Sequence, residues 1–154
     1  MRTQPSPALT AFARLVRSHA ALTRELNARL VADHGMTIND YEVLLRLARA
    51  EDRRMRRVDL ANELLLSPSG ITRMLDRLQD AGLVERGSCA SDRRVIYAVL
   101  TEAGMARLRE VSPTHAADVD GLLGERLDSE ELSTLGELLE RLGGAGDDSC
   151  DPAE

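Results

Sequence analysis

Along most of the chain, apolar residues return every three or four positions, the spacing that lines one face of an α-helix. Leu9, Phe12, Val16, Leu22, Leu26 and Leu30, with His19 among them, form one such stripe and predict a long helix over 8–32. Gly35, following Asp33-His34, offers the left-handed residue that ends it. A second helix is predicted from Thr37, with Asp40 three residues on in a capping-box-like pair and Tyr41, Leu44, Leu47 and Ala48 inward. The charged run Glu51-Asp52-Arg53-Arg54 reads as a linker. A short helix from Arg57 carries Leu60, Ala61 and Leu64 inward. At Ser67-Pro68 helix restarts: serine is a good N-cap and proline suits the first helical position. That helix is expected to run to about Ala81, with Ile71, Leu75 and Leu78 on one face and Gly82 closing it. Two short helices joined by a tight turn, the second opening on exposed polar residues, form the pattern of a helix-turn-helix.

The period then changes. Leu83 to Gly87 and Val95 to Leu100 are short β-prone runs. The polar stretch Ser88 to Arg94 between them predicts a hairpin, and a hairpin directly after a helix-turn-helix is a wing. Thr101 can cap a further long helix to about Leu127, bearing Leu108, Val111, Val119 and Leu122. Pro113 falls inside it and predicts a kink or a break, since proline removes a hydrogen bond and clashes with the preceding turn. Asp128 with Glu131 caps a last helix carrying Leu132, Leu135, Leu138, Leu139 and Leu142, ended by Gly143-Gly144. The expected fold is mainly α with a small β-hairpin wing. Residues 37–101 would form a winged helix-turn-helix domain, and 8–34 with 102–143 a helical dimerisation region. A flexible N-terminus (1–7) and an acidic, disordered tail (144–154) complete the division.

Charge refines this picture. The 154 residues carry a formal net charge of -6, which argues superficially against a polyanionic partner. Distribution matters more than the sum. Between Arg53 and Arg94 nine arginines face six acids, whereas the rest holds eleven arginines against twenty acids. Every cation is an arginine, which suits phosphates and guanine edges, but a GC-rich coding source accounts for the bias better. No apolar run approaches a membrane span, and Met1 to Ala8 lacks the pattern of a signal peptide, so a cytoplasmic protein is expected. Cys89 and Cys150 are far apart and do not make a disulfide framework. His19, His34 and His115 are scattered without the spacing of a metal site, and neither metal nor cofactor is expected.

From Val58 to Thr101 the sequence resembles the MarR family (multiple antibiotic resistance regulator type) of bacterial regulators. The segments that carry the likeness are LANELLLSPSGITRMLDRLQDAGLVER and SDRRVIYAVLTEAG, including Asp92 and Arg94 followed by Leu100-Thr101. With the flanking helices the resemblance covers roughly residues 8–143. Two departures stand out: Leu65 occupies a turn position where left-handed geometry is common, and Pro113 interrupts the fifth helix. The resemblance implies a homodimeric regulator of transcription, more often a repressor, which binds a pseudo-palindromic operator in double-stranded DNA. Release by a small anionic or phenolic effector is also implied. A site near His19, Arg46 or Arg49 is one of several equal placements for such a ligand.

A recognition helix places its first turns in the major groove. Here they offer Ser67, Pro68, Ser69, Gly70, Thr72 and Arg73. The apolar stripe turned inward forces Ser69, Thr72, Arg73 and Arg77 outward. Arg73 is the leading candidate for a base or phosphate contact and Arg77 for a phosphate, with Pro68 and Gly70 placed for thymine methyls. Arg93 or Arg94 would enter the adjacent minor groove, where narrow A·T tracts attract arginine. By resemblance Asp92 fixes the wing, and Arg94 contacts DNA or pairs with Asp92. Leu9, Phe12 and Val16 with Leu132, Leu135 and Leu139 are the expected dimer interface, although an intramolecular core would use the same leucines. Cys89 lies beside arginines that could lower its pKa, yet an exposed thiol without function is the favoured reading of the sequence. Two other classes fit less well. An enzyme is disfavoured because no G-x-S-x-G, phosphate loop, H-E-x-x-H or Rossmann pattern occurs. A winged helix that binds protein would have lost the basic residues retained at Arg73, Arg77, Arg93 and Arg94.

Overall fold

The computed structural model describes residues 6–89, 91–92 and 94–143. Helix α1 (Pro7–His34) starts where the Ser6 hydroxyl accepts the Leu9 amide and Pro7 takes the first position. It stops at Gly35, whose φ of 62° lets its amide turn back to the Leu30 and Val31 carbonyls. The described residues fall into two compact units, one ending at Ile38 and one beginning at Asn39. In the first, the Asn27 side chain accepts the Ile38 amide at 3.0 Å, and Leu9, Phe12, Leu15 and Val16 are exposed along α1.

The second unit holds the remaining elements. Helix α2 (Ile38–Arg49) buries Tyr41, Val43, Leu44 and Leu47. The expected linker after it forms a 3-10 turn at Glu51–Arg53, with Asp52 and Arg53 at positive φ. Strand β1 (Arg54–Arg56) follows, then α3 (Arg57–Glu63), α4 (Pro68–Asp80), β2 (Val84–Ser88) and β3 (Ile96–Leu100). Sequence periodicity predicted only the hairpin of the last two. The sheet instead has three antiparallel strands in the order β1-β3-β2, with Met55 opposite Ala98 and Arg86 opposite Ala98 on its two sides. A three-residue strand has no period of its own; pairing with β3 creates it, and Arg54 stacks over the Tyr97 ring at 5.1 Å.

Helix α5 (Glu102–Gly124) runs unbroken through Pro113, so of the expected kink or break the break does not occur. Pro113 is exposed, which leaves the carbonyl one turn earlier open to water. The neighbouring Ser112 hydroxyl donates back to Leu108 O at 2.8 Å. Helix α6 (Ser129–Gly143) opens with the predicted capping box. The Asp128 carboxylate accepts the Glu130 and Glu131 amides, and Glu131 accepts the Asp128 amide. Its Leu135, Leu138, Leu139 and Leu142 are exposed, and Leu132 is half-buried. Among the described residues no helix is long and apolar enough to cross a membrane. Arg93, Cys150 and the expected tail lie outside the described residues, as do residues 1–5.

Candidate nucleic-acid interface

The turn between α3 and α4 closes through Leu65, which adopts φ 53° and is 92% exposed. Non-glycine residues pay about 1–2 kcal/mol for this geometry, so the turn keeps its left-handed shape despite the leucine. Ser67 then caps α4, accepting the Gly70 amide at 3.1 Å. A Cβ on Gly70 would sit 3.0 Å from that hydroxyl, so the small residue leaves room for the cap. Ile71, Met74, Leu75 and Leu78 are buried. The opposite face presents Ser67, Pro68, Ser69, Arg73 and Arg77, all exposed, with Gly70 and Thr72 half-buried.

These side chains are not equally available. Thr72 donates its hydroxyl to Pro68 O at 2.8 Å and accepts Arg57 Nη1 at 3.4 Å, so its polar capacity is partly used within the molecule. Arg77 Nη2 pairs with the Asp40 carboxylate. Asp40 is only 6% exposed, and it was legible in sequence only as a local capping residue. The pair ties the second half of α4 to α2 and leaves the rest of the Arg77 guanidinium facing out. Arg73, one turn earlier on the same face, forms no ion pair among the described residues. It is therefore the cation of α4 most open to an external anion.

The wing is set by Asp92, whose Oδ1 accepts the Arg94 amide at 2.9 Å while its carbonyl accepts the Val95 amide. The Arg94 side chain is 95% exposed, with Nε 3.6 Å from the same carboxylate. Arg86 on β2 pairs with Asp76 on α4, joining the wing to the helix beside it. Cys89 sits 3.0 Å from the Ser91 hydroxyl. That bond, with the Ser91 and Asp92 amides, draws its thiol below the usual value, whereas the Asp92 charge and partial burial oppose the shift. Among the described residues the cause is hydrogen bonding, and no arginine contributes to the shift.

Sequence reasoning missed three basic residues beside this surface. Arg56, with both nitrogens on Asp59 at 2.6 and 2.8 Å, Arg57 and Arg86 all lie outside the helix-turn-helix stripe that drew attention to α4. Arg57 could have been noticed, because it opens a helix whose inward stripe leaves that position free.

Known proteins carry the same arrangement. The MarR family model matches residues 34–95, from the end of α1 to the residue before β3. The chain is 30% identical over 135 residues to the HTH-type transcriptional regulator MhqR of Bacillus subtilis, covering 88% of this chain and 90% of MhqR. The crystal structure of AbsC, a MarR family transcriptional regulator from Streptomyces coelicolor, superposes with a TM-score of 0.77 at 34% identity, over 92% of this chain and 95% of AbsC. Sco3205, a MarR family regulator from the same organism solved in complex with DNA, gives a TM-score of 0.79 at 28% identity, over 99% and 96% of the two chains. Matched along almost its whole length in sequence and in structure, the chain belongs to the MarR family of transcriptional regulators.

Proposed function

We propose that the chain is a sequence-specific transcriptional regulator that binds double-stranded DNA as a homodimer and acts as a repressor. The observation that carries this reading is Arg73: exposed, without an ion-pair partner among the described residues, and on the first turns of a helix capped by Ser67. Ser69 and Gly70 beside it are small enough for close approach to base edges, and the helix start itself favours a phosphate. Arg94, held by Asp92 at the wing, reaches for the adjacent minor groove. That Sco3205, which this chain resembles in fold, was solved in complex with DNA supports the DNA-binding reading. One such helix reads few base pairs, so two copies over half-sites about 10 bp apart are needed for a useful site. The exposed leucine stripes of α1 and α6 supply apolar surface for that pairing. A dimer on a promoter excludes polymerase, and a small anionic or phenolic effector would lift repression, the control that the family resemblance implies. Such a protein works where the DNA is, in the cytoplasm.

The test is a mobility shift with DNA from upstream of its own gene, at ~150 mM salt with excess competitor, because phosphate contacts make affinity steeply salt-dependent. Wild-type protein is expected to give a discrete shift, and Arg73→Ala to weaken it by about 1–3 kcal/mol, roughly tenfold or more. Footprinting the shift reads the half-site spacing. Equal binding by Arg73→Ala would remove Arg73 from the interface. Selection of no DNA from a genomic library would leave a winged helix that serves a protein partner.

A further inference from the structure

A DNA strand that passes from a major groove holding α4 to the minor groove holding the wing must cross the protein surface between them. At the base of the wing, against the start of α3, lies a cleft of about 170 Å³ lined by Arg56, Arg57 and Arg94 together with Val58, Val95 and Ile96. Three arginines line it from two parts of the fold: the end of β1 with the start of α3, and the base of the wing. Two are already matched to acids, Arg56 to Asp59 at 2.6 Å and Arg94 to Asp92 at 3.6 Å. Arg57 is different. Among the described residues its side chain meets only a neutral group, the Thr72 hydroxyl at 3.4 Å. An uncompensated arginine is thus held against the reading helix, at the mouth of a cleft whose other wall is the wing.

We infer that this cleft is a seat for a DNA phosphodiester, with Arg57 as its principal cation and Arg56 and Arg94 as flanking donors. The inference rests on the DNA-binding reading above and adds to it a contact that carries no base information. A guanidinium presents several N–H groups in a planar fork, so Arg57 can keep its Thr72 bond and still offer donors to a phosphate oxygen. The Thr72 bond aims the fork; the apolar Val58, Val95 and Ile96 shape the walls and reduce the water that competes for it.

Phosphate contacts are counted by salt dependence: each one lost from a protein on duplex DNA flattens the slope of log K against log salt by about 0.9. A dimer has two seats, so Arg57→Gln is expected to flatten the slope by about 1.8 while preserving the preference for operator over competitor DNA. Arg57→Lys, which keeps the charge, is expected to restore most of the slope. Thermal melting of each variant checks that the fold persists, and Thr72→Val reports the joint loss of the Thr72 hydroxyl's bonds to Arg57 and to Pro68 O. An unchanged slope in a folded Arg57→Gln protein overturns the proposal. So does a loss of operator preference matched by Thr72→Val, which would make Arg57 a brace for the reading helix. Stabilisation by inorganic phosphate that disappears in Arg57→Gln while the DNA slope stays the same would assign the cleft to a free anion, again overturning it. If wild-type protein prefers no fragment, the regulatory reading fails by itself, and the slope on that non-specific DNA still reports the seat.

Discussion

His115 shows what a single residue contributes when its surroundings come from several elements. It is 5% exposed, its ring centroid lies 4.5 Å from that of Tyr41, and its Nδ1 has no hydrogen-bond partner among the described residues. Tyr41 in turn donates to the Ser112 hydroxyl at 3.2 Å, so the cluster knits α2 to α5. Burial pushes the His115 pKa below its ordinary 6.5, against the opposing charges of Glu42 and Asp118. Folding therefore favours neutral imidazole, and the unfolded chain takes the proton first as pH falls. Stability from this source is intact above pH 6.5, declines as pH drops from there towards the lower folded value, and then levels off. The wild-type thermal midpoint should fall between about pH 7.5 and 5.5 more than that of His115→Phe, which removes the titrating group. Parallel declines in the two proteins would show that His115 does not report burial in this way.

At the scale of elements, the decisive junction is where α5 leaves the sheet. Thr101 caps the helix by accepting the Gly104 amide at 3.0 Å, donates its hydroxyl to Gly82 O at 2.7 Å, and sends its own amide to Leu83 O. Gly104 packs so closely on this turn that an added Cβ would lie 2.1 Å from the Leu83 carbonyl oxygen and 2.6 Å from Leu100 Cδ1. The first contact is with backbone, which cannot swing aside. Gly104→Ala should cost at least about 1–3 kcal/mol in urea unfolding, despite alanine's better helix propensity. A neutral or stabilising effect would mean that the turn and helix separate easily. Gly82, Leu83 and Thr101 border the reading helix and wing, so the same variant is expected to loosen the spacing of the two DNA-contacting parts.

For the whole molecule, the proposed function makes operator binding depend on dimerisation. Leu135 and Leu139 lie exposed on α6, and Phe12 and Val16 on α1. Apolar stripes of this kind on a soluble chain mark interaction surfaces. Leu135→Glu combined with Leu139→Glu should yield a monomer in analytical ultracentrifugation and lose the high-affinity operator shift, with the helical circular dichroism retained. A dimer that persists in the double variant would place the interface elsewhere.

The sequence by itself determined the parts whose causes are local. Helices follow from contacts three and four residues apart and from caps such as Ser67 and Asp128, so α1 to α6, the turn before α4 and the hairpin were legible to within a few residues. Family resemblance added the order of these parts and their use. Tertiary structure alone decided whatever depends on partners distant in sequence. Strand β1, an Arg-Met-Arg triplet, exists because β3 offers an edge to pair with. Asp40 meets Arg77 across 37 residues, which converts an expected capping residue into an anchor for the reading helix. Arg57 joins Thr72 across 15 residues and comes to face the wing. Pro113 is tolerated within α5 because it lies on the exposed side, where water can take the freed carbonyl. A local pattern encodes which face of an element is apolar, but which charged group meets which is fixed only once the elements pack.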